Sequence, residues 1–165
     1  KIQLSAADAA FAGAVDAAQL MANSAKKAGI DIEVIREPND GYWSNVWNND
    51  AKGWCACYWG GRPAETMMFS AAYVAESKWN DTMWKTTDSA VKFNQLVKDA
   101  RKELDESKKR DILYECQRLI YDDGGLLCPL FNSYVSANSK KIAHGKIAAN
   151  WDSDGAKCVE RWWFA

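Results

Sequence analysis

Lys1-Ile2-Gln3-Leu4, the run from Ala6 to Ala28, and Gly29-Ile30-Asp31-Ile32-Glu33-Val34 closing on Pro38 form the stretch that decides the fold. Ile2 and Leu4 alternate with polar neighbours, the period of a half-buried strand. Asp8 is placed to cap the helix that follows. Phe11, Val15, Ala18, Ala22 and Ala25 recur at spacings of three and four, which gives one apolar stripe on a helix. Gly29 stands where such a helix ends. Ile30, Ile32 and Val34 alternate again, and Pro38 stops the second strand. Strand–helix–strand in this order predicts an α/β layer with parallel strands joined by a right-handed crossover.

Working outward, Asp40 can cap a short helix bearing Tyr42, Trp43, Val46 and Trp47, and Asn48-Asn49-Asp50 to Gly53 reads as a turn. Trp54 to Trp59 reads as a buried strand, broken by Gly60-Gly61-Arg62-Pro63. Glu65 to Tyr73 is helical in pattern, and Trp79 to Asp88 is irregular. Ser89 is the expected cap of a helix with Phe93, Leu96 or Val97, Ala100 and Leu104 inward. Ser107 is the expected cap of the next, with Ile112, Cys116, Leu119 and Ile120 inward and Gly124-Gly125 at its end. Leu126 to Phe131 reads as a strand, and Pro129 assigns it to an edge or a bulge. Trp151 to Gly155 reads as a turn and Cys158 to Phe164 as a last strand. No internal repeat or low-complexity linker interrupts the chain.

The bulk properties narrow the function classes. The 165 residues are 48% apolar and 26% charged, with a formal net charge of -1. A basic surplus, the footprint of nucleic-acid binding, is missing, and the tryptophans carry few neighbouring Lys or Arg. Mean hydropathy is -0.41, and no apolar run is long enough to span a bilayer. Five cysteines, an odd number, leave at least one thiol free or intermolecular. Nine tryptophans are several times ordinary usage, and Trp joins a large apolar face to an N–H that needs a partner.

Catalytic signatures are scarce. His144 is the single histidine, in the loop Ala143-His144-Gly145. No Ser lies in a GxSxG elbow, and there is no P-loop and no GxGxxG. Cys55-Ala56-Cys57 is CxC without a second pair, a weak metal signal, so no metal and no cofactor is expected. Carboxylates are plentiful, but most fall in helical charge patterns such as Glu106 to Arg110, which mark solvated faces. A hydrolase acting on a glycan through two carboxylates, whose turnover would depend on Glu65 or Asp81, stays open as an alternative of another class.

Four stretches in order carry a resemblance. They are Ala17 to Gly29-Ile30; Trp54-Cys55-Ala56-Cys57-Tyr58-Trp59-Gly60-Gly61-Arg62-Pro63; Trp79-Asn80-Asp81 with Trp84; and Ala100-Arg101-Lys102-Glu103-Leu104-Asp105 through Lys109-Arg110, Tyr114, Gln117 and Asp122-Asp123-Gly124-Gly125 to Pro129-Leu130-Phe131. Together they resemble the C-terminal lobe of the peptide/oligopeptide-type extracellular solute-binding proteins (family 5), the ligand receptors of ABC importers. The resemblance covers nearly the whole chain. It implies an α/β fold, one lobe of a two-lobed periplasmic-binding-protein architecture with a central mixed sheet flanked by helices. Residues 1–165 would be a single lobe of a longer protein, with the N-terminal lobe and an export signal upstream.

The resemblance further implies periplasmic capture of a peptide or related small solute, its delivery to a membrane permease complex, and no enzymatic step. On that reading Trp59 stacks on a ligand side chain or sugar face, and Arg62 holds a carboxylate in a two-pronged hydrogen bond. Asn80 donates to and accepts from a ligand backbone, and Trp79 and Trp84 wall the pocket. Trp43, Glu65 and Asp81 are secondary candidates. Peptide-binding members often place an Asp in the strand-to-loop segment to meet the ligand's ammonium. Here the nearest positions hold Cys57, Gly60 and Gly61, and the acidic residue, Glu65, lies beyond Pro63. That departure keeps receptors for oligosaccharides or opines in view.

Overall fold

A computed structural model describes residues 1–49 and 51–165. Asp50, in the expected turn from Asn48 to Gly53, lies outside the described residues. The protein is mixed α/β. Its chain divides into two compact units, one of residues 1–59 with 72–86 and the other of residues 60–71 with 87–165.

The first unit is built on β1 (Ile2–Ala6), α1 (Ala14–Lys26), β2 (Ile32–Arg36), α2 (Tyr42–Asn45) and β3 (Trp54–Cys55). The three strands form a parallel sheet in the order β2-β1-β3, with Leu4 opposite Val34 on one side and Trp54 on the other. α1 begins later than its stripe suggested. Residues 8–13 turn first, and Gly13, at φ 80, precedes the helix. Asp8 still reaches it, accepting from the Val15 N–H at 3.5 Å. Gly29 takes the left-handed conformation expected of it (φ 77), which lets the Ile30 N–H return to the Ala25 carbonyl at 3.0 Å. The core under α1 is made of small residues: Ala6, Ala10, Ala14 and Ala18 are all fully buried or nearly so. Leu4, Val15, Ile32, Val34 and Trp54 pack beside them. Alanines on both layers let the helix lie close to the sheet.

The second unit contains α3 (Glu65–Ala72), α4 (Asp88–Lys102), α5 (Glu106–Asp123) and an antiparallel ribbon of β4 (Ile142–His144) and β5 (Trp162–Phe164). α4 and α5 make a helical hairpin. Ala90, Phe93, Val97 and Ala100 of α4 are buried, as are Cys116, Leu119 and Ile120 of α5. Phe93 meets the ring of Phe69 edge-on at 5.5 Å. Two caps differ from expectation. Thr87, not Ser89, caps α4 by accepting from Ala90 N–H, and Ser89 instead donates to Asp123 at the end of α5. Asp105, not Ser107, caps α5, accepting from the N–H groups of Ser107 and Lys108. Leu104, expected inward, is exposed because the chain turns extended at Glu103 before reaching it.

One mixed central sheet was expected, and the structure has two small ones instead. The expected strand from Leu126 to Phe131 is irregular, and Phe131 is 94% exposed. A strand needs a neighbour to take its backbone N–H and C=O groups, and Pro129 offers no N–H at all. The expected strand from Cys158 starts as a helical turn, Cys158–Arg161, and becomes extended only at Trp162. Trp54 to Trp59 pairs through only two residues, extended by the Ala56 N–H bonding Ser5 O at 2.9 Å. The turn at Trp151 to Gly155 is present and left-handed at Ser153, Asp154 and Gly155. Buried Asp154 holds it, accepting from Ala148 N–H at 2.6 Å and Trp162 Nε1–H at 3.0 Å and pairing with Arg161 at 3.2 Å.

Glu115 ties the hairpin together, meeting Lys92 at 2.6 Å and Arg118 at 2.7 Å. The Arg118 hydrogen bonds, followed by that of Lys92, hold its carboxyl down at about 2. A depressed acid contributes stability above its unfolded value, 4.5, and loses it as pH falls towards 2. Glu115→Gln is therefore expected to flatten the melting temperature across that window, and high salt to shrink the difference between the two proteins, because the group is partly open to solvent. Thermal denaturation at matched pH and salt measures this. Among the described residues no helix is long and apolar enough to cross a membrane.

Candidate functional site

Strand order 2-1-3 has a consequence for where a ligand fits. The chain leaves β1 towards β2 on one side and returns to place β3 on the other, so the order reverses between β1 and β3. In open α/β sheets the crevice outside the carboxyl ends of the strands at such a reversal is the usual ligand position. Here those ends are Ala6-Ala7 and Cys55-Ala56-Cys57, and the segment leaving β3 is Tyr58-Trp59.

Tyr42 fixes this corner. It is 1% exposed, and its hydroxyl lies 2.6 Å from the Ala56 carbonyl and 3.3 Å from that of Ser5. The ring packs with Ala7, Ala10, Ala14 and Val46. Burial raises its phenol far above the ordinary range. Cys55 is pushed up to about 11, by burial first and then by the negative charge of Asp81. A thiol at that value is a poor nucleophile at neutral pH.

Around this corner lies a cluster of aromatic rings. Trp43 meets Tyr42, Trp47 and Tyr58 edge-on, each at 5.7 Å. Trp47 meets Trp59 edge-on at 6.1 Å and stacks on Trp79 at 5.4 Å with the planes 24° apart. The Trp47 indole N–H donates to Asp81 Oδ1 at 2.5 Å, and Cys57 Sγ stands 3.4 Å and 3.6 Å from the two Asp81 oxygens. Trp43, Tyr58 and Trp79 stay partly exposed, at 39%, 61% and 45%. The first unit thus presents a rigid aromatic surface with one carboxylate set into it. Such a surface can stack on sugar rings, on apolar side chains or on cations.

The structure sorts the candidate residues into three groups. Trp43, Trp59, Trp79 and Asp81 belong to this one cluster. Asn80 and Trp84 are buried, at 1% and 6% exposure. Asn80 Nδ2 donates to the carbonyls of Tyr73 at 3.0 Å, Val74 at 3.2 Å and Trp84 at 3.1 Å, tying together the segment that carries Trp79 and Asp81. Arg62 and Glu65 lie in the second unit. Arg62 Nη1 donates to the Gly60 and Gly61 carbonyls at 2.7 and 3.3 Å, and its guanidinium lies over the Trp151 ring at 5.6 Å. Glu65 opens α3.

Three members of the cluster were not read as site residues: Trp47, Tyr58 and Cys57. The i, i+4 spacing of Trp43 and Trp47 is the one signal in the sequence that could have joined Trp47 to the site. All five cysteines are free thiols. Among the described residues no group of three or more His, Cys, Asp or Glu is placed to share a metal ion. Compared with known proteins, the chain matches no family model and no curated sequence.

Proposed function

We propose that the chain is a ligand-binding lobe of a two-lobed solute receptor, capturing a peptide or related small solute without transforming it. In the periplasm, such a receptor hands its solute to an ABC permease at the membrane. The observation that carries this reading is the open aromatic cluster of Trp43, Tyr58, Trp47 and Trp79 beside Asp81, at the strand-order reversal of a parallel sheet. Preformed aromatic faces with few polar groups suit reversible capture. The resemblance of the four ordered stretches to the peptide-type receptors supplies the class of partner.

The exposed apolar segment in the second unit also supports a lobe rather than a self-sufficient domain. Leu127, Leu130, Phe131, Tyr134 and Val135 are each at least half exposed. Side chains of this type form strands when another sheet accepts them, and a second lobe would provide one.

Trp79→Ala is the direct test of the site. The indole is 45% exposed and stacks on Trp47, and losing it is expected to weaken solute binding about tenfold, the value of one good aromatic contact. Calorimetric titration of wild type and variant with the tightest solute from a screen of oligopeptides and oligosaccharides measures this. Unchanged affinity in the variant would move the site elsewhere.

A further inference from the structure

Asp81 is the feature that a plain stacking surface does not require. Its carboxylate is embedded among rings, yet its hydrogen-bond donors, the Trp47 indole and the Cys57 thiol, are both neutral. Among the described residues no Lys or Arg forms an ion pair with it. Two donors, one indole N–H and one S–H, leave part of its accepting capacity open. Its charge is felt locally, since it helps push the Cys55 thiol up. A partly buried carboxylate without a cation is an unfavourable arrangement that a cationic ligand would relieve.

The rings beside it suit the same ligand. Trp47 and Trp79 are stacked, and the face of Trp79 already carries an ammonium group, the Nζ of Lys78 at 4.6 Å from the ring centre. That lysine is exposed and forms no ion pair among the described residues. Indole faces attract cations through their quadrupole, most strongly where water is excluded.

We infer that Asp81, with the Trp47–Trp79 stack, selects solutes carrying an ammonium or guanidinium group over neutral solutes of the same shape. The inference rests on the solute-binding reading and names the class of ligand for that site. Asp81 fixes the charged head through charge-assisted hydrogen bonds, while the rings cover its alkyl or planar part. Neutral sugars could stack but would leave the carboxylate uncompensated.

The test is calorimetry on the whole chain with agmatine and 1-aminopentane as cations, and with 1-pentanol and N-acetyl-1-aminopentane as neutral counterparts. Wild type is expected to bind the cations at least about tenfold more tightly than their neutral counterparts, and Asp81→Asn to lose about that factor for the cations alone. The amide can still accept from Trp47, so near-UV circular dichroism of the variant should match wild type. Should the variant fail to fold, the wild type decides by itself. Raising salt from about 0.01 M to about 1 M shortens the screening length from about 30 Å to about 3 Å and should weaken the cations only. Equal affinity of wild type for cations and neutral compounds, or cation binding by Asp81→Asn as tight as wild type, overturns the inference. If neutral peptides or oligosaccharides bind wild type and Asp81→Asn alike but Trp79→Ala poorly, the cation preference is wrong and the solute-binding reading stands. If no probe and no member of the peptide and oligosaccharide screen binds wild type, both fall.

Discussion

Replacing Asn80 with Ala is expected to cost the first unit about 3 kcal/mol of stability, although the residue contributes little apolar surface. Its amide donates to three carbonyls within the 73–84 segment and is 1% exposed. Removal takes the amide donor from the buried carbonyls of Tyr73 and Trp84, while the Val74 carbonyl keeps the Ser77 N–H at 3.0 Å; each buried hydrogen bond lost costs about 1–3 kcal/mol, with relaxation of the segment recovering part. Asn80→Asp keeps the volume but its carboxylate donates nothing, so it should lose at least as much. Asn80→Gln keeps the donors on a longer stem and separates geometry from chemistry. Urea unfolding with an unchanged slope and a lower midpoint for Ala and Asp is the expected result. The consequence reaches function, because Trp79 and Asp81 flank Asn80 on the segment it organises. Solute binding should weaken in Asn80→Ala even below the unfolding transition.

Phe93→Ala is expected to cost about 4 kcal/mol, which for a chain of this length lowers the melting temperature by about 8–16 °C. Phe93 is fully buried in α4, and its ring meets Phe69 of α3 edge-on. Truncation removes the transfer free energy of the ring and leaves a cavity that a helix backbone fills poorly. Phe93→Leu keeps most of the volume and should cost less than about 1.5 kcal/mol. Differential scanning calorimetry on both variants separates volume loss from loss of the ring pair. The two predictions differ in kind: one removes hydrogen bonds within the first unit, the other packing within the second.

How much of this was legible in the sequence depends on whether a feature is local. β1, α1 and β2 were readable because period-2 and period-3.6 patterns follow one another in Lys1 to Val34 with Gly29 between them. α4 and α5 were readable from Phe93, Val97 and Ala100 and from Cys116, Leu119 and Ile120. Both of these caps were misplaced by two residues because Thr87-Asp88-Ser89 and Asp105-Glu106-Ser107 each offer several competent side chains, and only backbone geometry chooses. Leu126 to Phe131 has the composition of a strand, but pairing is not a property of the segment that does the pairing. The sheets were harder to read than the helices for this reason.

The site was legible in part. Tryptophan surplus pointed to stacking, and Trp43, Trp59, Trp79 and Asp81 do come together. They come from three segments of the chain, and Trp47 sits between them as the common neighbour, touching Trp43, Trp59, Trp79 and Asp81. Only its i, i+4 spacing from Trp43 sets that residue apart from the eight other tryptophans in a linear reading. Asn80 is a different case. A polar residue between Trp79 and Asp81 invites a ligand contact, yet its amide is turned inward to the backbone carbonyls of its own segment.

Equilibrium dialysis of the chain against a mixed pool of short peptides, oligosaccharides and alkylamines, with mass spectrometry of both compartments, tests reversible capture most directly. One class is expected to be enriched with the protein, to saturate at one molecule per chain and to be recovered chemically unchanged, with alkylammonium or guanidinium compounds foremost. Enrichment of nothing, or the appearance of a converted product in place of the retained solute, would contradict it.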